Sequence, residues 1–417
     1  MWALIDQGLS SGTNFAIGVV LARSLGPQEF GAFAIAFTVW LGAQGVLRTF
    51  IVQPYVVEAA SATSSAWTTM SAHAAGAVVW LGVVVGCLTG IGGVIVGLDA
   101  SVGTTLAVLG GFVPVLALQD FWRQAAFAKG QPKVAAANDG VWAGVQTAGL
   151  LVLLFTDSLS AGSAVAAWGS GAGAGATLGI RQLEVMPDFS RAAFRFARAV
   201  GGLGAWFTAS NLVYIAGSQA AILLIAGGAG RAAVGGLRAT MNLFAPVQLI
   251  TLAGEAVGLP DASRAAREGP RALVRSALSY SRALSLWAGA YCAVPVLLGQ
   301  AVLTAVFGSE FARYSELIVP MALVSVFGTL GLGAILGLRA ARAGRRLLTA
   351  QAVVTGLKLG GVVALVGPHG VAGAAWALAG VAGVHAALLW CLLPHAARNA
   401  SSRRNSKDQL APSTEWE

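Results

Sequence analysis

The feature that most constrains this chain is its division into apolar stretches of about twenty residues, separated by short segments that carry most of its arginines. A bilayer core ~30 Å thick is crossed by about 20 apolar residues in a helix. Within lipid, only a helix or a closed barrel satisfies every backbone N–H and C=O. Stretches of this length therefore predict an all-α polytopic membrane protein. Twelve spans are expected, near residues 3–21, 31–52, 74–96, 106–121, 135–155 and 161–180, then 199–226, 234–253, 284–307, 317–338, 347–367 and 371–393. With 56% hydrophobic and only 10% charged residues, the chain lacks the polar surface of a soluble protein, in which about 25% of residues are charged.

The charges test the count. Of the 26 Lys and Arg, Arg238 and Lys358 lie within spans. With the N-terminus inside, 21 of the others fall in cytoplasmic segments and three, Arg23, Arg231 and Arg313, on the opposite side. Lys and Arg are retained on the cytoplasmic side during insertion. A miscounted span would scramble this alternation, so the expected arrangement has both termini inside a cytoplasmic membrane. It divides into an N-terminal six-helix lobe (1–180), a cytoplasmic connecting loop (181–198), a C-terminal six-helix lobe (199–395) and a polar tail without regular structure (396–417).

The halves repeat. Val165-Ala-Ala-Trp168 parallels Gly373-Ala-Ala-Trp376, each opening the last span of its half, and Ala128-Lys-Gly130 parallels Arg342-Ala-Gly344, each before a fifth span. An even number of spans per half makes the repeat parallel, about an axis along the membrane normal.

Several function classes are excluded. The basic residues are spread over short loops, not gathered in a patch interleaved with aromatics, so no nucleic-acid partner is expected. Cys87, Cys292 and Cys391 lie far apart in apolar stretches, and the four histidines have no ligand spacing; neither a disulfide framework, a metal nor a cofactor is expected. Gly169-Ser-Gly-Ala-Gly-Ala-Gly175 lacks the Lys-Ser/Thr of a phosphate loop and reads as a close-packing helix face. Met1–Asp6 has no basic leader region, and the first span reads as retained. No nucleophile–base set or carboxylate pair gives an enzyme a visible home.

The informative residues are polar ones inside spans. Gln7, Ser11 and Asn14 share a helix face in span 1; Thr208, Asn211 and Ser218, with Tyr214 beside them, do so in span 7; Gln351, Thr355 and Lys358 do so in span 11. Each stripe faces either a wet cavity or a hydrogen-bonding neighbour helix. Lys358 lies about ten residues, or ~15 Å, from either end of its span. A lysine stem does not snorkel that far, and a charge at that depth costs ~2.5–3.5 kcal/mol unless it meets water or a partner. Arg48, four residues after Gln44, and Arg238 lie nearer span ends. Each either snorkels or joins Lys358 in a cationic cavity suited to an anionic diphosphate. Asp6, at the edge of the span 1 stripe, is the candidate coupling carboxylate or else a helix-capping residue.

Leu21-Ala-Arg-Ser-Leu-Gly-Pro-Gln-Glu-Phe-Gly-Ala-Phe-Ala34 resembles the end of the first span and start of the second in Wzx-type polysaccharide flippases. Residues 194–260 resemble the opening of that family's second half, and Gly370-Val-Ala-Gly-Ala-Ala375 the start of its last span. The resemblance implies the multidrug/oligosaccharidyl-lipid/polysaccharide exporter superfamily. It implies two six-helix lobes forming a V around a central cavity, and outward flipping of an undecaprenyl-diphosphate-linked oligosaccharide by alternating access. The expected partners are that substrate, membrane lipids and polysaccharide-assembly proteins. The expected substrate-binding residues are Lys358, Arg48, Arg238, Gln351, Thr355, Asn14 and Asn211. An ion-coupled drug exporter of the same superfamily and a membrane glycosyl polymerase are the alternatives. The first calls for central carboxylates, where this chain has a lysine; the second calls for a sizeable external loop, and the longest expected here, 308–316, is about nine residues.

Overall fold

The computed structural model describes residues 27–60, 62–95 and 100–410, with Ile17, Val20, Leu21, Ser24 and Leu25 before them. The expected first span, with Asp6 and Asn14, lies outside the described residues. Among those described, all regular structure is helical.

The chain divides into two compact units, Met1–Thr208 and Ala209–Glu417. In the first, α1 (Pro27–Leu47) passes through a π-turn (Arg48–Val52) into α2 (Gln53–Ala59). Then come α3 (Ser64–Ile95), α4 (Ala100–Ala128), α5 (Pro132–Phe155) and α6 (Ala161–Leu183). Helix α7 (Arg191–Ala229) carries the chain from one unit to the next. In the second unit, α8 (Arg231–Asn242) and α9 (Ala245–Glu268) follow, then α10 (Pro270–Leu298), α11 (Gln300–Phe307) and a 3-10 segment (Ser309–Leu317). Last come α12 (Ile318–Ala340) and α13 (Gly344–Leu410), which is broken at Gly370.

Expected spans 2 to 12 each fall on this helical framework. Among the described residues, seven helical stretches are long and apolar enough to cross a bilayer, and residues 232–268, bent by 56°, make an eighth. The stretch 344–402 counts once but holds two expected spans, separated where Gly370 adopts φ 57°. Helices α5 and α6 are 24 and 23 residues long, enough for ~35 Å; buried Asn138, Asp139 and Gln146 and the many glycines lower their hydropathy.

Several expected boundaries move. Residues 191–198, expected within a loop, are the first turns of α7, because Asp188 and Ser190 cap a helix there. The division between units falls at Thr208, inside α7, not in segment 181–198. Span 9, expected from residue 284, starts as a helix at Pro270, since proline suits a first helical turn, and it breaks at Gly299 with φ 52°. The stretch 396–410, expected as an irregular tail, continues α13 as helix.

Packing follows one plan in both units. Helix α4 packs against α1, α3 and α6, and α6 against α5. Helix α12 packs against α9, α10 and α13. The fourth span of each half is thus the hub for its second, third and sixth. A Cβ on Gly149 of α5 would lie 3.2 Å from Ala167 Cβ of α6; one on Gly361 would lie 3.3 Å from Ala377 Cβ across the break in α13. The turns before the fifth spans also match. Gln131 N–H donates to Ala126 O and Gly130 N–H to Phe127 O, while Ala343 N–H donates to Leu338 O and Arg342 N–H to Arg339 O. The residues with positive φ are Gly130 (77°) and Arg342 (56°). Gly130 therefore corresponds to Arg342, not to Gly344, and Ala167 corresponds to Ala377. A two-residue correction in the opposite sense separates Trp168 from Trp376. Two residues turn a helix by ~200°, so Trp168 is buried at 2% exposure and Trp376 stands half out at 51%.

The glycine run of α6 serves close packing. A Cβ on Gly171 would meet Trp142, and one on Gly179 would meet Trp122 at 2.6 Å.

Candidate functional site

Polar groups gather at the helix ends in the way that the alternation of spans requires. At one end of the first unit, Glu29 accepts from Ser101 Oγ at 2.5 Å and from the Ala161 N–H at 2.7 Å. This joins the starts of α1, α4 and α6, whose spans begin on the same expected side. Ser160 completes that N-cap in a capping box with Ser163. At the other end, Arg48 donates to both carboxylate oxygens of Asp120, with Nε–Oδ2 at 2.7 Å. Arg123 Nε lies 3.2 Å from Asp139 Oδ2. Gln119 Nε2 donates to Asn138 Oδ1 at 3.1 Å and Asp139 Oδ1 at 2.8 Å, and Asn138 Nδ2 donates to Gly175 O at 2.7 Å. The second unit has its counterpart in Arg339 with Glu255, and in Asp261, which accepts from Tyr280 and Arg264.

Lys358 differs from these cations. It lies fourteen residues after Gly344 and twelve before Gly370, in the middle of the first arm of α13. Its Nζ donates to Ser218 Oγ of α7 at 3.2 Å and sits 5.2 Å from the centroid of the Tyr214 ring. Among the described residues no carboxylate pairs with it. Arg48, Arg123, Arg264 and Arg339 each have one.

Two of the stripes seen in the sequence thus meet in the second unit. Gln351 is buried and donates from Nε2 to Thr355 Oγ1 at 3.4 Å. The Thr355 side chain packs on Gly217, where an added Cβ would collide with it. Ser218 and Tyr214 come from the facing stretch of α7. Asn211, half-buried, lies one turn before Tyr214 on the same helix. The arrangement is a lysine ammonium flanked by a hydroxyl, an aromatic ring face and a short amide–hydroxyl ladder. It offers donors to an anion, and among the described residues no carboxylate pairs with the ammonium.

His385 is the member that the sequence did not disclose. Its Nε2 is buried without a hydrogen-bond partner, and it lies within electrostatic reach of Lys358. It comes from the second arm of α13, in a span with no other polar residue at helical spacing to mark a face.

Of the remaining expected residues, Asn14 lies outside the described residues, and Arg48 and Arg238 have surroundings of their own. Arg48 lies in the first unit with its guanidinium taken up by Asp120. Arg238 is exposed on α8, with no hydrogen bond or ion pair among the described residues.

No family profile matches the chain, and no curated protein matches it. Solved structures do. A structure of MATE in complex with MaL6 aligns with TM-score 0.79 and 13% identity, covering 96% of this chain and 95% of that one. The outward-facing form of a multidrug resistance MATE family transporter of the MOP superfamily aligns with TM-score 0.77 and 14% identity over 96% of this chain and 94% of that one. A MOP superfamily transporter from Pyrococcus furiosus, described as having a binding pocket of reverse polarity that suggests a different function, aligns with TM-score 0.72 and 12% identity over 96% and 94%. At these identities the likeness is one of fold: a two-lobed, helical, MATE-like transporter fold.

Proposed function

We propose that this chain is a membrane transporter of the multidrug/oligosaccharidyl-lipid/polysaccharide exporter type whose cargo is anionic, a diphosphate-linked saccharide on a lipid carrier. Lys358 is its anion-attracting group. The carrying observation is the contrast among the cations. Among the described residues Lys358 sits at mid-helix beside a hydroxyl and a ring face with no carboxylate partner, while Arg48, Arg123 and Arg339 are neutralised by carboxylates. A cation at that depth is costly without water or an anion, and a diphosphate supplies the missing charge. The transporter of reverse pocket polarity supports the reading that this fold accommodates substrates of more than one charge.

The saccharide head group passes along hydroxyl and amide contacts such as Thr355, Gln351 and Asn211, each weak enough to release it. The lipid tail stays in the bilayer. The orientation, with both termini on the cytoplasmic side and flipping outward, rests on the Lys/Arg asymmetry. Export of a small drug by the same fold is the second reading, favoured by the full-length likeness to a multidrug MATE transporter.

An ion pair at about 4 Å in a medium of effective dielectric ~20 is worth about 4 kcal/mol before desolvation takes back part of it. Lys358→Ala is therefore expected to slow flipping of a fluorescent lipid-linked diphosphosaccharide in proteoliposomes by at least ~10-fold at matched protein levels. Lys358→Arg retains part of the rate, because the charge stays while the geometry changes. Flipping at the wild-type rate by Lys358→Ala removes the lysine from the site. Transport of a cationic dye but no diphospholipid by the wild type selects the second reading.

A further inference from the structure

We infer that residues 186–198, the turn and first helical turns that lead into α7 within the first unit, form an interfacial anchor that binds the anionic headgroups of the adjacent lipid leaflet. The substrate reading above does not use this segment.

The sequence there is Met-Pro-Asp-Phe-Ser-Arg-Ala-Ala-Phe-Arg-Phe-Ala-Arg. Arg191, Arg195 and Arg198 recur at i, i+4 and i+7, which stacks them on one face of the first turns of α7. All three are exposed. Among the described residues none makes a hydrogen bond or ion pair, unlike the arginines at the ends of α4, α9 and α12. Large apolar side chains stand out beside them: Met186 at 71% exposure, Phe189 at 56% and Phe194 at 71%. Unpaired guanidinium groups next to exposed Phe and Met are costly in water and in hydrocarbon alike. They suit the boundary, where apolar rings enter the acyl layer and guanidinium groups meet phosphates.

The platform is fixed, not a loose linker. The Asp188 N–H donates to Ala72 O at 2.9 Å, and His73 Nε2 lies 3.2 Å from Asp188 Oδ2, tying the segment to the start of α3. The Asp188 carboxylate also accepts from the Ser190 N–H and hydroxyl, and Ser190 Oγ accepts from the Ala192 N–H. The one acid within 186–198 is thus used internally, and three arginines remain for an outside anion. The leaflet is the cytoplasmic one under the orientation set by the Lys/Arg asymmetry.

The probe is the full chain in nanodiscs, with Cys87, Cys292 and Cys391 replaced and an environment-sensitive fluorophore on Ala199→Cys, at an exposed position one turn from Arg195. Discs of phosphatidylcholine are compared with discs holding about one third phosphatidylglycerol; both carry a lipid with a headgroup nitroxide. Quenching is expected to rise roughly twofold with the anionic lipid. The rise should vanish in R191Q/R195Q/R198Q, persist in the triple Lys variant, and fall away for the wild type in 0.5 M NaCl, where the screening length is about 4 Å. Melting temperature and gel-filtration profile check that the variants fold; if the triple Gln variant does not, the salt series decides. Equal quenching in both lipids, or a rise that survives salt or the Gln substitutions, overturns the proposal. Loss of lipid-linked sugar flipping by Lys358→Ala is unaffected by either result.

Discussion

Asp120→Asn tests what holds the first unit together. Asp120 has a side-chain exposure of only 7% and Arg48 one of 27%, and the guanidinium forks onto both carboxylate oxygens. Removing one partner of a buried pair costs ~3–5 kcal/mol, because a charge is left buried without compensation. Arg48 is partly exposed and recovers some water, which places the cost nearer ~2–3 kcal/mol. For a unit of roughly 200 residues, about 2–4 °C of melting temperature per kcal/mol gives a fall of ~5–10 °C. The pair also sits at the π-turn, where Thr49 Oγ1 lies 2.9 Å from Thr208 Oγ1 and Gly204 packs on the Phe50 backbone, so the loss should extend to the middle of α7. Melting in detergent micelles is followed for Asp120→Asn, Arg48→Met and the double variant Arg48→Met/Asp120→Leu. The double variant should regain most of the loss, since apolar replacement of a whole buried pair is often neutral. If it melts as low as the sum of the single losses, the ion pair is not what stabilises this end, and the reasoning fails.

The remaining predictions use other parts of the molecule. Single cysteines at Ser406 and Ser309 should react from opposite sides of intact cells, Ser309 from outside; labelling of both by an impermeant reagent breaks the alternation of spans. Gly333→Ala and Gly204→Ala place a methyl against the Ala277 and Phe50 carbonyls respectively, and each should cost ~1–3 kcal/mol by overpacking, read as a lowered melting temperature. The Ser190 N–H, the Ser190 hydroxyl and then His73 hold the Asp188 carboxyl below its ordinary value of 3.8. Its folded value is depressed, so its contribution is full above that ordinary value and is lost as pH falls through the lower folded one. Hydrogen-exchange protection of residues 185–198 should hold down to about pH 4 and drop below it; in Asp188→Asn it should already be weak at neutral pH.

How much of this was legible beforehand depended on the distance over which a residue acts. The helices, their number after the first and the alternation of their ends followed from the sequence, because bilayer thickness and backbone hydrogen bonding act locally along a chain. Lys358 was visible for the same reason: a charge ten residues from either span end is anomalous whatever surrounds it. The stripes of α7 and α13 were readable as faces, since helical period places Tyr214 and Ser218, or Gln351, Thr355 and Lys358, on one side.

What lay across helices was not readable. Arg48 read as a snorkelling or cavity cation because nothing near it in sequence bears a negative charge; its partner Asp120 is 72 residues away. His385 gave no signal at all, as one histidine in an apolar span has no period. The repeat was seen, but its register was misplaced by two residues where Ala and Gly are too common to align, and the burial of Trp168 beside the exposure of Trp376 exposed the error. The sequence determined that the chain crosses a membrane and where its helices run, because lipid imposes those terms on each span separately. Only the tertiary structure decided which cations are neutralised and which, among the described residues, have no carboxylate partner, because that depends on the few ångströms between side chains that packing alone brings together.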